Sequence, residues 1–199
     1  MAAAPADLRT AQRAWLKQRD ACRAAACLTP LYQARLTALA ATPRAATIAY
    51  RSADLGVTFP ILANRQIRPC ADERQCLEIF GLRFGQRLML LRLQAVAAPL
   101  ETAARDEAGF EFKAGRWVTT YGRFEPQIVQ RFGGRGWKGM KATITCGVSD
   151  RDTGFHAAGG ECLWAVLSNG PRSILATTDG YGEPEAATRD MLASLTFDR

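Results

Sequence analysis

Six cysteines constrain the fold of this chain more than any other feature of its sequence. They fall into three local pairs: Cys22 with Cys27, Cys70 with Cys76, and Cys146 with Cys162. An even number of cysteines in close pairs is typical of a protein that folds in an oxidising compartment, because each pair can close a short disulfide loop. Connectivity cannot be read from sequence, so buried free thiols in a reducing compartment remain the alternative. A zinc site is disfavoured, since the spacings are not C-x-x-C and His156 is the one histidine.

The length and composition of the chain indicate one main domain with a small attachment. At 199 residues, 48% of them hydrophobic, the chain is long enough to bury one full core. No apolar run approaches the roughly eighteen residues that a membrane-spanning helix needs. The start, Met1 followed by a run of alanine and proline to Ala6, is typical of the mature end left by signal-peptide cleavage, with a methionine placed in front. We therefore expect a soluble, secreted protein.

Residues 7–23 predict an amphipathic helix, because Leu8, Trp15 and Cys22 fall on one helical face. A helix that continued through Cys22 and Cys27 would hold their Cα atoms about 8 to 9 Å apart. That separation exceeds the limit of about 7 Å for a disulfide. The helix must therefore end between the two cysteines if they pair.

Thr29 and Pro30 predict where a second helix begins, with Thr29 as the N-cap and Pro30 as the first helical residue. Four apolar side chains of this helix are expected to face Trp15: Leu31, Tyr32, Leu36 and Leu39. Residues 1–42 are therefore expected to form a helical hairpin locked by its cysteine pair.

Eleven residues of the helical hairpin form a recognisable pattern: Gln12, Trp15, Leu16, Arg19, Asp20, Cys22, Cys27, Leu28, Tyr32, Arg35 and Leu39. In this pattern the segment resembles the LprI-type helical module of bacterial periplasmic proteins. Members of that group are associated with lysozyme inhibition. The resemblance implies a secreted envelope protein that binds a wall-degrading enzyme, and it covers the helical hairpin only.

The remaining residues, 43–199, predict a second domain built mainly on antiparallel strands. Residues 46–52 and 56–64 read as strands, residues 87–100 fit either a strand or a helix, and residues 110–122 predict a hairpin. A closing helix is predicted near the C-terminus. The expected fold class is α+β, with an N-terminal disulfide-locked helical hairpin followed by a mainly antiparallel sheet with a C-terminal helix.

The segment between Cys146 and Cys162 is expected to form the most distinctive surface of this domain, a projection tethered at both ends. The residues before Cys146 and after Cys162 read as strands, so the segment leaves a sheet and returns to it. A disulfide between the two cysteines would lower the conformational entropy of the unfolded chain and so stabilise the folded protein by roughly 3 kcal/mol. We expect a tethered, shaped projection that binds a partner through five residues: Asp150, Asp152, Phe155, His156 and Glu161.

The same segment leaves a chemical alternative open. Asp150, Asp152 and Glu161 fall at positions one, three and twelve of a calcium-loop spacing. His156 beside them has the chemistry of a general base. Position six of a calcium loop should be glycine but is Phe155, and no motif places a nucleophile. We therefore expect no catalytic residue, no bound metal and no cofactor.

A formal net charge of +7 and a pI near 9.4 favour an anionic partner. The most credible anion-facing patch is the glycine-rich run 132–141, because it carries Arg135, Lys138 and Lys141. We expect this run to form a flexible, exposed loop whose candidate binding residues are Arg135, Trp137 and Lys138. Its glycines do not follow the order of a phosphate-binding loop. The scattered basic residues include no recognition motif, which argues against nucleic acid.

These features predict a non-enzymatic binding protein of the bacterial periplasm. Its expected partner is a cell-wall hydrolase or a secreted toxin, which it would block as an inhibitor or immunity protein by inserting the loop between Cys146 and Cys162 into a cleft. Because like charges repel, the target should be acidic or have an acidic cleft rim. Two alternatives stay open: an envelope scaffold that binds anionic cell-wall or lipid components, and a metal- or histidine-dependent hydrolase.

Overall fold

The computed structural model describes residues 5–40, 46–71, 73–83, 86–121, 125–150, 155–180 and 186–198. The backbone alone is described for residues 5–8, 40, 83, 148–150, 155–159 and 186–187. The chain forms two compact units, Met1–Ala46 and Thr47–Arg199.

The first unit is a pair of helices, α1 (Pro5–Ala21) and α2 (Ala25–Ala40). The break between them lies where the cysteine spacing predicts it, and a disulfide joins Cys22 to Cys27 with their Cα atoms 5.9 Å apart. Trp15 packs edge-on against Tyr32, with ring centroids 5.2 Å apart. The expectation that Leu36 also faces Trp15 is wrong, since its side chain is 65% exposed. Leu39 is exposed as well.

Helix α2 begins earlier than the sequence predicts. The amide of Leu28 donates to the carbonyl of Ala24 at 3.3 Å, so the helical ladder is established before Pro30, which lies inside the helix. Thr29 is therefore not the N-cap, and its hydroxyl donates instead to the carbonyl of Ala25 at 3.2 Å. Pro30 is the sixth residue of α2 and lacks the amide hydrogen for one bond of the helical ladder. The alanines before it favour helix and offset part of this cost.

The second unit contains the following elements, in chain order: β1 (Thr47–Ser52), β2 (Val57–Leu62), β3 (Gln66–Pro69), β4 (Cys76–Arg83), β5 (Gln86–Val96), α3 (Leu100–Asp106), β6 (Glu111–Lys113), β7 (Arg116–Thr119), β8 (Gln127–Ile128), β9 (Gln130–Gly134), β10 (Trp137–Asp150), β11 (Phe155–Ser168), β12 (Ser173–Thr177), α4 (Ala186–Ser194) and β13 (Thr196–Phe197). The central sheet has the order β3-β4-β5-β12-β11-β10-β9, and the two smaller sheets have the orders β1-β2-β13 and β6-β7-β8. Each recorded strand pair is antiparallel.

The central sheet separates two hydrophobic cores. Because side chains alternate across a strand, Leu163, Ala165 and Leu167 of β11 enter one core, while Cys162 and Val166 enter the other. The first core is completed by β2 and α4, and the second by α3 and β7. Helices and smaller sheets therefore pack on both faces of a central antiparallel sheet. This arrangement confirms the predicted α+β class, and α4 is the predicted closing helix.

Each of the three cysteine pairs forms a disulfide, and no cysteine is free. Cys70 and Cys76 join the end of β3 to the start of β4, and Cys146 and Cys162 join β10 to β11. Among the described residues, no helix has the length and apolar character needed to cross a membrane.

Candidate functional site

Strands β10 and β11 form one long hairpin. The prediction that the residues between Cys146 and Cys162 form a loop is therefore wrong for most of that segment. The strands continue past both cysteines: Cys146 pairs with Gly160, and the ladder reaches a last pair between Asp150 and Phe155. Only residues 151–154 lie between the strands, and they are outside the described residues. Glycine- and alanine-rich sequence predicts strand poorly, but the two segments satisfy each other's backbone groups in the ladder.

The hairpin extends beyond its neighbours in the central sheet. Strand β9 pairs with β10 only as far as Lys141, and β12 pairs with β11 only from Trp164 onward. We call the part beyond the disulfide, Gly147–Asp150 with Phe155–Ala158, the arm. In the described part of the chain, the arm strands pair only with each other. The four residues from Gly147 to Asp150 advance the ladder by about 13 Å.

The root of the arm is held firmly by the body of the second unit. Thr178, just after β12, donates its amide to the carbonyl of Leu163 at 3.0 Å and accepts the amide of Leu163 on its hydroxyl at 2.8 Å. Gly160 lies so close to Gly180 that a Cβ at Gly160 would collide with the carbonyl of Gly180. The disulfide crosses the hairpin at the same level, with Cys162 buried. The arm therefore departs from a fixed base.

A half-buried carboxyl group lies in the segment that supports this root. Asp179 follows Thr178, and its Oδ1 accepts the amide of Gly180 at 2.9 Å. Burial raises the pKa of the Asp179 carboxyl, and the bond from Gly180 opposes that rise.

The residues predicted to bind a partner are divided between the arm and its root. Asp150, Phe155 and His156 lie in the last two pairs of the ladder, and Asp152 is outside the described residues. Glu161 is exposed at the root, opposite Thr145 in the register.

The ladder separates the residues of the calcium-loop spacing. Glu161 lies opposite Thr145, five residues before Asp150, so Glu161 and Asp150 are roughly 17 Å apart along the ribbon. This distance is far too long for two ligands of one ion. No cluster of three or more histidine, cysteine, aspartate or glutamate residues that could hold a metal occurs among the described residues.

The predicted flexible loop at residues 132–141 is a tight β-hairpin. Strands β9 and β10 are joined by the two residues Arg135 and Gly136, and Gly136 has φ of +79°, a value that glycine adopts without a steric penalty. Trp137 is not exposed as predicted but only 4% accessible. Its Nε1 donates to the carbonyl of Leu195 at 2.7 Å, because the strand alternation points it into the core beneath α4.

Arg135 and Lys138 are exposed, but they lie far from the arm. Lys138 and Asp150 are twelve residues apart on one strand, which corresponds to roughly 40 Å. The structure therefore does not bring the two predicted binding surfaces together.

A cleft of about 350 Å³ opens beside the root of the arm. Five elements contribute its lining residues, which are Gln127, Ile128, Gln130, Lys141, Ala142, Thr143, Leu163 and Arg189. Leu163 and Ala142 are buried, whereas Thr143 and Arg189 are exposed. The described lining contains two cationic side chains and no acidic one.

The two cations of the cleft contact no carboxylate among the described residues. The Nζ atom of half-buried Lys141 lies 5.3 Å from the ring centroid of Phe132, whose face orients the ammonium group. Half-buried Arg92 provides a contrast, since it contacts Glu73 at 2.8 Å and Glu78 at 3.5 Å. The cleft is therefore a locally positive surface.

The sequence did not reveal this cleft. The sequence predicts Lys141 to be part of an anion-facing patch on a flexible loop, but neither Arg189 nor the two glutamines belongs to a motif. A further local signal is that Lys141 occupies a strand position between the buried residues Met140 and Ala142.

In the first unit, the residues that carry the family resemblance contact one another. Arg35 donates to Oε1 of Gln12 at 2.5 Å, and Arg19 lies over the Trp15 ring and pairs with Asp20 at 2.6 Å. The bond from Arg35 joins the two helices, whereas these contacts of Arg19 lie within α1. We interpret the shared residues as stabilising the helical pair rather than as forming an interface.

No protein-family model matches this chain, and a search of curated proteins finds no match. Among solved structures, a protein from Bacteroides thetaiotaomicron VPI-5482 is similar over 76% of this chain, with a TM-score of 0.45 and 8% identity. The match covers 48% of that protein, so this chain spans about half of its length.

Proposed function

We propose that this protein is a non-enzymatic binding protein of the bacterial periplasm that blocks an envelope-degrading hydrolase by inserting its arm into the substrate cleft. The observation that carries the proposal is the two-stranded ribbon that extends past both neighbouring strands and is bridged by Cys146 and Cys162 at its root. A narrow projection on a fixed base has the shape that a concave site accepts.

The fixed root favours tight binding for a physical reason. Association costs conformational freedom, and a segment already held in its bound shape loses less of it than a mobile loop. The outer edges of the arm strands are unpaired among the described residues, so a partner strand can add to them through backbone hydrogen bonds.

The choice of compartment and target is supported by three features of the chain. Three disulfides suit an oxidising compartment. The helical pair resembles the LprI-type module, whose members are associated with lysozyme inhibition. A net charge of +7 disfavours a strongly basic target, so the proposed hydrolase is acidic or has an acidic cleft rim.

The test measures the clearing of a peptidoglycan suspension by purified wall hydrolases with acidic substrate clefts, with and without this protein. We expect at least one of these enzymes to be inhibited. The triple variant Asp152→Ala, Phe155→Ala, His156→Ala should weaken inhibition roughly thirtyfold or more, the scale expected when anchor residues are truncated. We expect the triple variant to fold normally, with each substitution changing folding stability by less than about 0.5 kcal/mol, the usual size of a surface effect.

The matched control is the double variant Arg135→Ala, Lys138→Ala at the opposite end of β10, which should inhibit like the unmodified protein. Loss of inhibition in this control, with the triple variant unaffected, would place the interface away from the arm. The proposal is also wrong if no hydrolase is inhibited, or if the protein itself degrades peptidoglycan in a reaction abolished by His156→Ala.

A further inference from the structure

We propose that the cleft beside the root of the arm binds a carboxylate group of a small polar molecule. The charged groups that would recognise it are Lys141 on β10 and Arg189 on α4. Gln127, Gln130 and Thr143 line the same cleft and offer amide and hydroxyl groups to the rest of the ligand.

The first argument is electrostatic. Two like charges in one cleft repel each other, and the described lining supplies no carboxylate to offset them. Other cations of this unit do have acidic partners: Arg51 contacts Asp198 at 2.9 Å, and Arg131 approaches Glu101 at 3.7 Å. An anionic ligand between Lys141 and Arg189 would supply the missing charge.

The second argument concerns the polar groups that are left available. The side chains of Gln130 and Thr143 make no hydrogen bond with the described residues, and the Gln127 amide nitrogen reaches only the carbonyl of Glu125, at 3.5 Å. Such groups suit hydroxyl or amide substituents next to the anionic group. Buried Leu163 and Ala142 add an apolar wall that limits water access.

Size and charge define the class of ligand. A volume of about 350 Å³ lies at the small end of ligand pockets, which favours a molecule such as a short peptide with a free C-terminus or an acidic sugar. The shared chemistry of these two sources is a carboxylate beside hydrogen-bonding groups. A carboxylate has two oxygens to satisfy, so Lys141 and Arg189 can serve one each, whereas a phosphate has further terminal oxygens that need additional donors.

The cleft and the arm are distinct surfaces that can be tested separately. Thr143 and Leu163 lie opposite each other at the base of the hairpin, on the body side of the disulfide. Ligand binding in the cleft does not require that the protein inhibit a hydrolase. Failure of one proposal therefore leaves the other intact.

The test is a titration of this chain with small probes at low ionic strength, in which binding is measured from shifts of the backbone amide resonances. The probes are acetyl-alanyl-alanine and glucuronate, with acetyl-alanyl-alanine amide and glucose as their neutral counterparts, and inorganic phosphate. We expect at least one carboxylate probe to shift the resonances of Lys141, Thr143 and Arg189, with Kd near the millimolar range. Its neutral counterpart should bind at least tenfold more weakly, and whichever carboxylate binds more tightly identifies the peptide or sugar source.

Variants then separate this site from general surface charge. Lys141→Met and Arg189→Gln should each weaken carboxylate binding at least fivefold, whereas Lys138→Met and Arg135→Gln remove the same kinds of charge outside the cleft and should leave it unchanged. If all four variants lose the same amount of carboxylate affinity, the binding reflects the net charge of the protein and not a site in the cleft. Binding of neither carboxylate by 20 mM, or tighter binding of phosphate, would overturn the proposal.

Discussion

Trp137 illustrates how one side chain ties distant parts of the second unit together. Its indole lies in the core, where Nε1 donates to the backbone carbonyl of Leu195 at the end of α4. Phe132 packs edge-on against it with ring centroids 5.2 Å apart. The bond is short and buried, so its loss would leave the Leu195 carbonyl without a partner.

We predict that Trp137→Phe lowers the free energy of unfolding by about 1 to 3 kcal/mol, the usual cost of leaving a buried acceptor unpaired. The matched control is Trp164→Phe, since half-buried Trp164 donates no hydrogen bond from its indole to the described residues. Denaturant unfolding of both variants measures the difference. A loss for Trp164→Phe as large as that for Trp137→Phe would mean that ring volume, rather than the hydrogen bond, matters.

Asp198 joins the C-terminal end of the unit to β1 and β2. Its carboxylate accepts a hydrogen bond from Arg51 at 2.9 Å and one from the Thr58 hydroxyl at 3.0 Å. The bond from Arg51 is the main cause that lowers the pKa of Asp198, and the Thr58 bond and the charge of Arg172 act in the same direction.

A lowered pKa means that the folded state favours the ionised carboxylate. Its contribution to stability is therefore present above the ordinary aspartate pKa of about 3.9 and is lost as the pH falls through the lower folded value. We predict that Asp198→Asn costs about 0.5 to 1 kcal/mol at pH 7, because Arg51 is exposed and its pairing is screened. The cost should shrink towards zero in acid.

Thermal melting from pH 7 to pH 3 measures this dependence. Asp54→Asn is the control, because exposed Asp54 makes no side-chain hydrogen bond or ion pair with the described residues. If Asp198→Asn is equally destabilising at both ends of the pH range, the ionised pair is not the cause of the loss.

At the scale of elements, the β10–β11 hairpin combines a supported half and a projecting half. Up to the level of the disulfide it is flanked by β9, β12 and the segment around Thr178, whereas the arm has only its own ladder in the described part of the chain. Isolated two-stranded ribbons are marginally stable in water. A covalent bridge between Cys146 and Cys162 is therefore placed where the ribbon loses its neighbours.

We predict that the double variant Cys146→Ser, Cys162→Ser lowers global stability by about 3 kcal/mol on the chain-entropy account. Hydrogen exchange of the arm amides should accelerate more than exchange in β12, because the arm has no second neighbour to hold it. Mass spectrometry of exchanged peptides resolves the two regions. The control, Cys70→Ser with Cys76→Ser, should accelerate exchange at the β3–β4 connection and leave the arm unchanged; equal acceleration of the arm in both variants would contradict the local role.

At the scale of the whole molecule, three surfaces of the second unit follow one another along strand β10. Arg135 and Lys138 lie near one end of β10, the basic cleft around Lys141 and Thr143 follows, and the arm occupies the other end. The site proposed for the cleft and the interface proposed for the arm therefore follow one another along a single strand, β10.

Several features of this protein follow from local sequence alone. The short spacing within each cysteine pair favours the three disulfides that form, although spacing alone does not fix connectivity. The helix break before Cys27 follows from helix geometry if that pair is bridged. The apolar alternation of residues 57–62 and 163–167 likewise predicts buried strands and the α+β class. These signals succeed because the interactions behind them span only a few residues.

Only the tertiary structure decided the conformation of the arm, the burial of Trp137 and the existence of the basic cleft. The arm, which contains Gly147 and Asp150 and no regular apolar alternation, becomes strand because its two halves pair with each other. That pairing is not visible in the sequence of either half alone. Trp137 is buried because α4, far along the chain, covers that face of β10. Lys141 and Arg189 meet in one cleft because the sheet order and the packing of α4 bring them together, and long-range packing of this kind leaves no mark on the neighbouring sequence.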